Sequence, residues 1–157
     1  MIMIELPEIK QKPRKAPYKK PEAVKELERL AMDEARRLHP TMKPEHLAPR
    51  IFRDDKANGL TKCITTYLRL KGAFCSRLNN TGIFDRQLNR YRPGTSRKGL
   101  PDVLATHKGK SLMIEVKAGR DRMSKFQEGI REEQTASGGI WYTARNFTDF
   151  KEWFDKL

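Results

Sequence analysis

The order of the predicted elements along the chain indicates an α/β fold. Apolar stretches with the alternation of β-strands occur mainly in the C-terminal half, and amphipathic stretches with helical spacing precede, separate and follow them. The chain has 157 residues, which is long enough to bury a core without disulfides or a structural metal. These observations together predict one folded domain in which helices pack against a sheet.

Two helices are predicted in the N-terminal half. The first runs from Pro21 to His39 and ends at Pro40, because proline cannot continue a helix. Its apolar face is formed by Val24, Leu27, Leu30, Ala31, Ala35 and Leu38. The second runs from Asn58 to Lys71, and Gly72 suits a C-terminal cap. Its inner stripe contains Leu60, Ile64, Tyr67, Leu68 and Lys71, beside Cys63, which we expect to be a small buried hydrophobic residue.

Three strands are predicted next, separated by a long polar stretch. Phe74–Asn79 alternates as a short strand, and a basic stretch from Asn80 to Gly99 follows it. Val103–Ala105 and Leu112–Val116 then read as two strands joined by a turn at His107–Lys110. This spacing predicts an antiparallel hairpin.

The C-terminal part is predicted to alternate helix, strand and helix. Ser124 suits a helix N-cap, and Gln127 three residues later completes a capping box. Gly138 and Gly139 end that helix, and a strand over Ile140–Ala144 follows. The aromatic residues between 147 and 157 suit a short closing helix.

The charge of the chain favours a polyanionic partner. Lys and Arg number 33 against 20 Asp and Glu, which gives a net charge of +13 and an isoelectric point near 10.0. Such a balance is most often associated with nucleic acid, although a basic surface that serves solubility alone would give the same numbers. In the proline-interrupted N-terminal stretch, we expect Lys12, Arg14 and Lys15 to act either as a phosphate-binding arm or as a merely flexible one.

Several classes of protein are excluded or disfavoured. No apolar run reaches the roughly 20 residues of a membrane span, so we expect no membrane partner. The two cysteines cannot build a disulfide framework, and the sequence lacks a C-x-x-C zinc motif. A reducing, cytoplasmic location is therefore expected.

Asp102, Glu115 and Lys117 are the residues that suggest chemistry. Asp102 opens one strand of the predicted hairpin and Glu115 lies on the other, so antiparallel pairing can bring them side by side. Glu115 and Lys117 are two residues apart and therefore project from the same face. Two carboxylates can hold Mg²⁺, and a lysine can orient water or shield a phosphate during phosphodiester hydrolysis. Taken alone, the pattern favours an ordinary surface salt bridge from Lys117 to one of the two acids.

The context of these residues is similar to a nuclease superfamily. Pro101-Asp102 followed by Glu115-Val116-Lys117 looks like the signature of the PD-(D/E)XK nucleases. Ser124-Lys125-Phe126-Gln127 resembles the Ser-x-x-Gln of the VRR-NUC branch, the virus-type replication–repair nucleases, and Gly138-Gly139 also fits that branch. Upstream, the region from Asn58 to Gly72 and the segment from Arg77 to Gly82 resemble its first helix and first strand. The resemblance covers about residues 58–157.

The resemblance implies a restriction-endonuclease-like fold, with a mixed central sheet flanked by helices. It implies an endonuclease that hydrolyses DNA with Mg²⁺ or Mn²⁺. Carried over by position, Asp102 and Glu115 would bind the metal with the Val116 carbonyl as a further ligand, and Lys117 would be the catalytic lysine. Gln127 would hold a water or a phosphate, its alternative role being the capping box alone. Branched DNA substrates and a homodimer are weaker implications.

The chain departs from the family pattern on the first helix. Many members carry a Glu there as an additional metal-site acid, whereas this chain reads Asn58-Gly59-Leu60. Asp54 and Asp55 lie upstream, where we expect them to be off the helix, and Asn58 offers only a weaker neutral oxygen. The departure supports a rival interpretation, namely a non-catalytic DNA-binding module that retains the nuclease fold.

We therefore divide the chain into three parts. Residues 1–21 are predicted to be a basic flexible tail, residues 22–57 an accessory helix with its connector, and residues 58–157 the nuclease-like domain. The polar stretch before the hairpin is expected to track DNA phosphates, with a solvated loop as the alternative. Its candidate contacts are Arg86, Arg90, Arg92, Arg97 and Lys98.

Overall fold

A computed structural model describes residues 17–78, 83–92 and 97–157, without the side chains of Ile83, Asp85, Tyr91 and Arg92. The described helices are α1 (Glu22–Leu38), α2 (Ala57–Leu70), α3 (Lys125–Ala136) and α4 (Phe147–Phe154), with a 3₁₀ turn at Pro44–His46. Within these ranges, no helix combines the length and the apolar composition needed to cross a membrane. The strands are β1 (Phe74–Arg77), β2 (Ile83–Asp85), β3 (Arg90–Arg92), β4 (Val103–His107), β5 (Lys110–Val116) and β6 (Ile140–Ala144).

Four strands form a mixed sheet in the order β1-β4-β5-β6. β1 pairs antiparallel with β4, and β4 pairs antiparallel with β5. β6 runs parallel to β5, because the chain crosses back through α3 before it enters β6. The predicted α/β class, with a mixed sheet flanked by helices, is thus confirmed.

One hydrophobic core joins the sheet to α1, α2 and α4. Leu27 of α1 is fully buried with Tyr67 of α2, and both belong to the same cluster as Ile114 of β5. α4 contributes Phe147, whose ring meets that of Tyr67 edge to face at 5.6 Å between centroids. The predicted accessory helix is therefore part of the central core, whereas the predicted domain boundaries are not otherwise tested.

Three local predictions are corrected by the structure. Leu38, predicted on the inner face of the first helix, is 58% exposed, because it is the last helical residue and the chain turns away there. Lys71, predicted on the inner stripe of the second helix, is exposed as the residue that ends α2. The basic stretch contains a two-stranded antiparallel sheet, β2 with β3, where we predicted a polar segment without strands.

The end of the predicted tail is attached to the domain. The Tyr18 hydroxyl donates to the Asp54 carboxylate at 2.8 Å, and the Lys20 ammonium pairs with Glu28. Tyr18 and Lys20 therefore both contact the folded unit. Lys12, Arg14 and Lys15 lie outside the described residues.

The two leucines of α1 provide a test of whether this helix is part of the core. Replacing the fully buried Leu27 by Ala should lower the free energy of unfolding by about 2–5 kcal/mol, because it removes core contacts and leaves a cavity. Replacing the exposed Leu38 should change it by less than about 0.5 kcal/mol. Urea unfolding followed by circular dichroism measures both, and equal effects of the two substitutions would contradict the packing of α1 described above.

Candidate functional site

The register of the β4–β5 hairpin places Asp102 beside Glu115. The two strands are joined by the two-residue turn Lys108–Gly109, in which both residues have positive φ. Val103 pairs with Ile114, so the residue before Val103 faces the residue after Ile114. The Asp102 carboxylate accepts a hydrogen bond from the Val116 backbone N–H at 2.8 Å, which holds it across the end of β5. The predicted adjacency of the two acids is confirmed.

Glu115, on β5, and Lys117, directly after its end, form a buried ion pair. The Lys117 ammonium lies 3.0 Å from Glu115 Oε1 and 3.6 Å from Asp121 Oδ2. Glu115 is 3% exposed and Lys117 is 6% exposed, so both charges are almost entirely removed from solvent. A buried ion pair is a poor source of stability, since desolvation opposes the Coulomb attraction. The alternative of an ordinary surface salt bridge therefore does not describe this pair.

Gln127 completes the predicted capping box, and its amide also reaches Glu115. The side-chain oxygen of Gln127 accepts a hydrogen bond from the Ser124 backbone N–H at 2.9 Å. The backbone N–H of Gln127 donates to Ser124 Oγ at 3.3 Å, which completes the predicted capping box. The side-chain nitrogen donates to Glu115 Oε1 at 2.5 Å. Because the cap engages the oxygen of the amide, the NH₂ group is the part that faces Glu115.

The pKa of the Glu115 carboxyl is raised above its ordinary value. Burial is the largest cause, because it disfavours the charged form, and the negative charge of Asp102 acts in the same direction. Hydrogen bonds from Lys117 and Gln127 oppose the shift. A cation bound between Glu115 and Asp102 would therefore stabilise the ionised form of Glu115.

The donor atoms at this end of the sheet fit a hard divalent cation. The backbone N–H of Lys117 donates to the Ala144 carbonyl on β6. Because backbone groups alternate in direction along a strand, the backbone N–H and carbonyl of Val116 point to the opposite side, where Asp102 lies. Two carboxylates and one backbone carbonyl are oxygen ligands of the kind that Mg²⁺ and Mn²⁺ prefer. In the described ranges, no group of three or more His, Cys, Asp and Glu side chains is arranged to hold a metal. A cation here would therefore take its remaining ligands from water or substrate.

Helix α2 brings no acid to the site. Asp54 and Asp55 precede the helix, as predicted, and Asp54 is engaged by the Tyr18 hydroxyl and the Phe147 backbone N–H. Asn58 lies in the first turn of α2, and its side-chain oxygen accepts from an Arg77 guanidinium nitrogen at 2.7 Å. The neutral oxygen that Asn58 could offer to a metal is thus already hydrogen-bonded to Arg77 of β1.

The candidate DNA-contacting residues separate into two groups. Arg86 and Arg90 are exposed on the β2–β3 hairpin. Arg97 instead forms a two-pronged ion pair with Glu133 of α3, and the Lys98 ammonium lies 5.6 Å from the centroid of the Phe126 ring. The Arg92 side chain lies outside what the structure describes. The sequence assigned no role to Phe126, which occupies an unspecified position of the Ser-x-x-Gln motif, or to Asp121, which lies outside the motifs.

Comparison with known proteins adds no family. No protein-family model, curated protein or solved structure matches this chain. The functional interpretation therefore depends on the geometry that joins Asp102, Glu115, Lys117 and Gln127.

Substituting Lys117 tests the electrostatics of the site. Lys117→Met should raise the pKa of Glu115 further, because the ammonium lowers it in the native protein. When the pKa of a carboxyl is higher in the folded protein than in the unfolded chain, the folded protein loses stability as the pH rises. The loss occurs between the unfolded-state pKa and the folded-state pKa. The stability of the variant should therefore fall more than that of the native protein between acidic and neutral pH.

Two measurements check this prediction. Carboxyl ¹³C NMR over a range of pH reports the titration midpoint of Glu115, whose resonance is assigned by its loss in Glu115→Gln. Urea unfolding at several pH values reports the change in stability. Lys125→Met is a matched control, because it removes an exposed lysine at the start of α3. An unchanged Glu115 midpoint in Lys117→Met would show that the ion pair is absent in solution.

Proposed function

We propose that this chain is a metal-dependent endonuclease that hydrolyses phosphodiester bonds in DNA. The observation that carries the proposal is the meeting of two carboxylates, a buried lysine and a glutamine amide at one end of the sheet. This set matches the resemblance to the VRR-NUC branch of the PD-(D/E)XK nucleases, in which Asp102, Glu115 and Lys117 would be the signature residues. We also propose Mg²⁺ or Mn²⁺ as its cofactor.

The protein groups divide the chemistry between them. A divalent cation, when bound, supplies charge that neutralises the phosphate and favours ionisation of the attacking water. Asp102 and Glu115 would hold the cation, and the Asp102 carboxylate is kept in position by the Val116 N–H. The Glu115 carboxyl must be ionised to bind, so its raised pKa makes cation binding release a proton at acidic pH.

Lys117 and Gln127 would act on the water and the phosphate. The ammonium lies 3.0 Å from Glu115 and is held in a site that excludes most solvent, where a charge acts more strongly than in water. It can orient the attacking water or stabilise negative charge on the phosphate. Gln127 has one further N–H on the amide nitrogen that faces Glu115, and it can position the same water.

DNA is the substrate that the charge favours. The chain carries a net charge of +13, and Arg86 and Arg90 expose their side chains on the hairpin that precedes the site. Contacts of this kind position the phosphate backbone without reading bases, so we expect little sequence specificity. Branched DNA and a homodimer remain expectations from the resemblance.

A non-catalytic DNA-binding module is the second candidate. The observation that favours it is the first helix, where Asn58 is bonded to Arg77 and no acid reaches the site. The buried lysine argues against it, because a module that only binds DNA has no need to desolvate Lys117 beside Glu115.

A pair of substitutions separates metal binding from catalysis. Glu115→Gln removes a charge that a hard cation needs, so both Mn²⁺ affinity and cleavage should fall. Lys117→Met removes no ligand, so Mn²⁺ binding should survive while cleavage falls by about 100-fold or more. Calorimetric Mn²⁺ titration and single-turnover nicking of supercoiled DNA measure the two effects.

The same assay decides between the two candidates. Far-UV circular dichroism first establishes that each variant is folded, and reactions in EDTA provide the blank. Cleavage by Lys117→Met at the native rate would show that Lys117 is only an ion-pair partner. Native protein that binds DNA but never cleaves it with Mg²⁺ or Mn²⁺ would favour the binding module.

Removing residues 1–16 tests the predicted basic arm. The segment contains Lys10, Lys12, Arg14 and Lys15, so its loss should weaken DNA binding and flatten the dependence of log affinity on log salt. The deletion leaves Tyr18 and Lys20, which attach the chain to the domain. Fluorescence anisotropy at several salt concentrations measures the slope, and an unchanged slope would exclude the arm from DNA binding.

A further inference from the structure

An exposed aromatic ring lies directly beside the candidate site. Phe126 is 61% exposed in the first turn of α3, next to the Gln127 whose amide reaches Glu115. The capping box uses Ser124 and Gln127, so it gives no reason for a phenylalanine between them. A single exposed apolar side chain is ordinary on a protein surface, so only the residues around Phe126 can indicate that it binds a ligand.

The segment 97–99 is fastened to α3 around this ring. Arg97 bonds to both carboxylate oxygens of Glu133, and the Lys98 ammonium lies over the Phe126 ring. Gly99 has a φ of +88°, and a Cβ added there would stand 2.4 Å from the carbonyl carbon and oxygen of Phe126. Glycine is therefore needed for the close approach, and Lys98 is held beside the ring by the backbone on one side and by Arg97 on the other.

The ring and its neighbours form a groove suited to a nucleotide. The groove is lined by Phe126 and by three cations, Arg97, Lys98 and Lys125, while its acid, Glu133, is already paired with Arg97. An aromatic face combined with cations for the adjoining phosphates is how proteins bind single-stranded nucleic acid. In a paired duplex the base faces are covered by stacking, so such a ring has nothing to contact.

We propose that Phe126 stacks on an unpaired nucleobase of the DNA strand whose phosphate enters the site, with Lys98 and Lys125 contacting the adjoining phosphates. This proposal rests on the proposed function, because it places the base next to the group that contacts Glu115. It makes DNA with a single-stranded segment the preferred substrate over fully paired duplex. The specificity comes from the structure of the DNA, since stacking on a phenyl ring tolerates every base.

A binding experiment without divalent cations tests the stacking separately from catalysis. The probes are fluorescein-labelled DNAs of equal length in EDTA: a single strand, a duplex with a short single-stranded gap, and a fully paired duplex. Phe126→Ala should weaken binding to the first two by about tenfold and leave the paired duplex unchanged. Phe126→Trp should restore binding, because indole also stacks.

Phe74→Ala is the matched control, since Phe74 is 71% exposed at the end of the sheet opposite Asp102. It should leave all three affinities unchanged. Equal losses on all three DNAs in Phe126→Ala, or no loss on any, would overturn the proposal. If Phe126→Ala loses single-strand binding while the native protein cleaves no DNA in Mn²⁺, stacking stands and the nuclease function fails. If the native protein cleaves and Phe126→Ala binds and cleaves gapped DNA as the native protein does, the nuclease stands and stacking fails.

Discussion

The hairpin register fixed by the Lys108–Gly109 turn is the constraint on which the candidate site depends. A two-residue turn with two positive φ values permits one pairing of β4 with β5, and a shift by one residue would move every side chain to the opposite face. With this pairing, Asp102 reaches the Val116 N–H and faces Glu115. The turn is at the far end of the sheet from the acids, so the site is positioned by strand pairing over the whole length of the hairpin.

The candidate site is built at a cost to stability. Glu115 and Lys117 are nearly as buried as the leucines of the core, and removing two charges from water is expensive even when they meet at 3.0 Å. Gln127 offsets part of this cost by donating a hydrogen bond to Glu115, and its own orientation is fixed by the Ser124 cap. The helix cap and the site are therefore one hydrogen-bonded system, in which a loss of the cap would release the amide that holds the acid.

The sequence predicted the elements whose local signals agree with their packing. Ser124 with Gln127, the hairpin turn and Gly72 at positive φ each combine a local preference with a fixed position, and the structure confirms all three. It also placed Glu115 and Lys117 together, because the two-residue period of a strand is a geometric certainty. Their depth of burial was not predictable, because it depends on neighbouring elements and not on strand geometry.

The sequence was least informative where contacts between distant segments decide whether a side chain is buried or bound. Leu38 follows the periodicity of α1 but is largely exposed at the helix end, and periodicity cannot tell where the neighbouring surface stops. Lys20 lies in a run of lysines and prolines that indicates a tail, yet Glu28 holds it to the domain. In each case the pattern described the segment in isolation, and the packing against the rest of the domain decided where the side chain lies.

The attachment of residues 97–99 to α3 has a consequence for how DNA would meet the site. Lys98 and Gly99 of this segment lie against the first turn of α3, which carries Gln127. In the proposed nuclease, Lys98 and the groups that would surround the reacting phosphate are thus neighbours on one surface. In the proposed reaction, a phosphate displaced by about 1 Å would lose alignment with Glu115 and Lys117 and would be hydrolysed more slowly. Under the proposed function, the attachment of this segment to α3, through Arg97 with Glu133 and through the close approach at Gly99, would help to align the strand with Glu115 and Lys117.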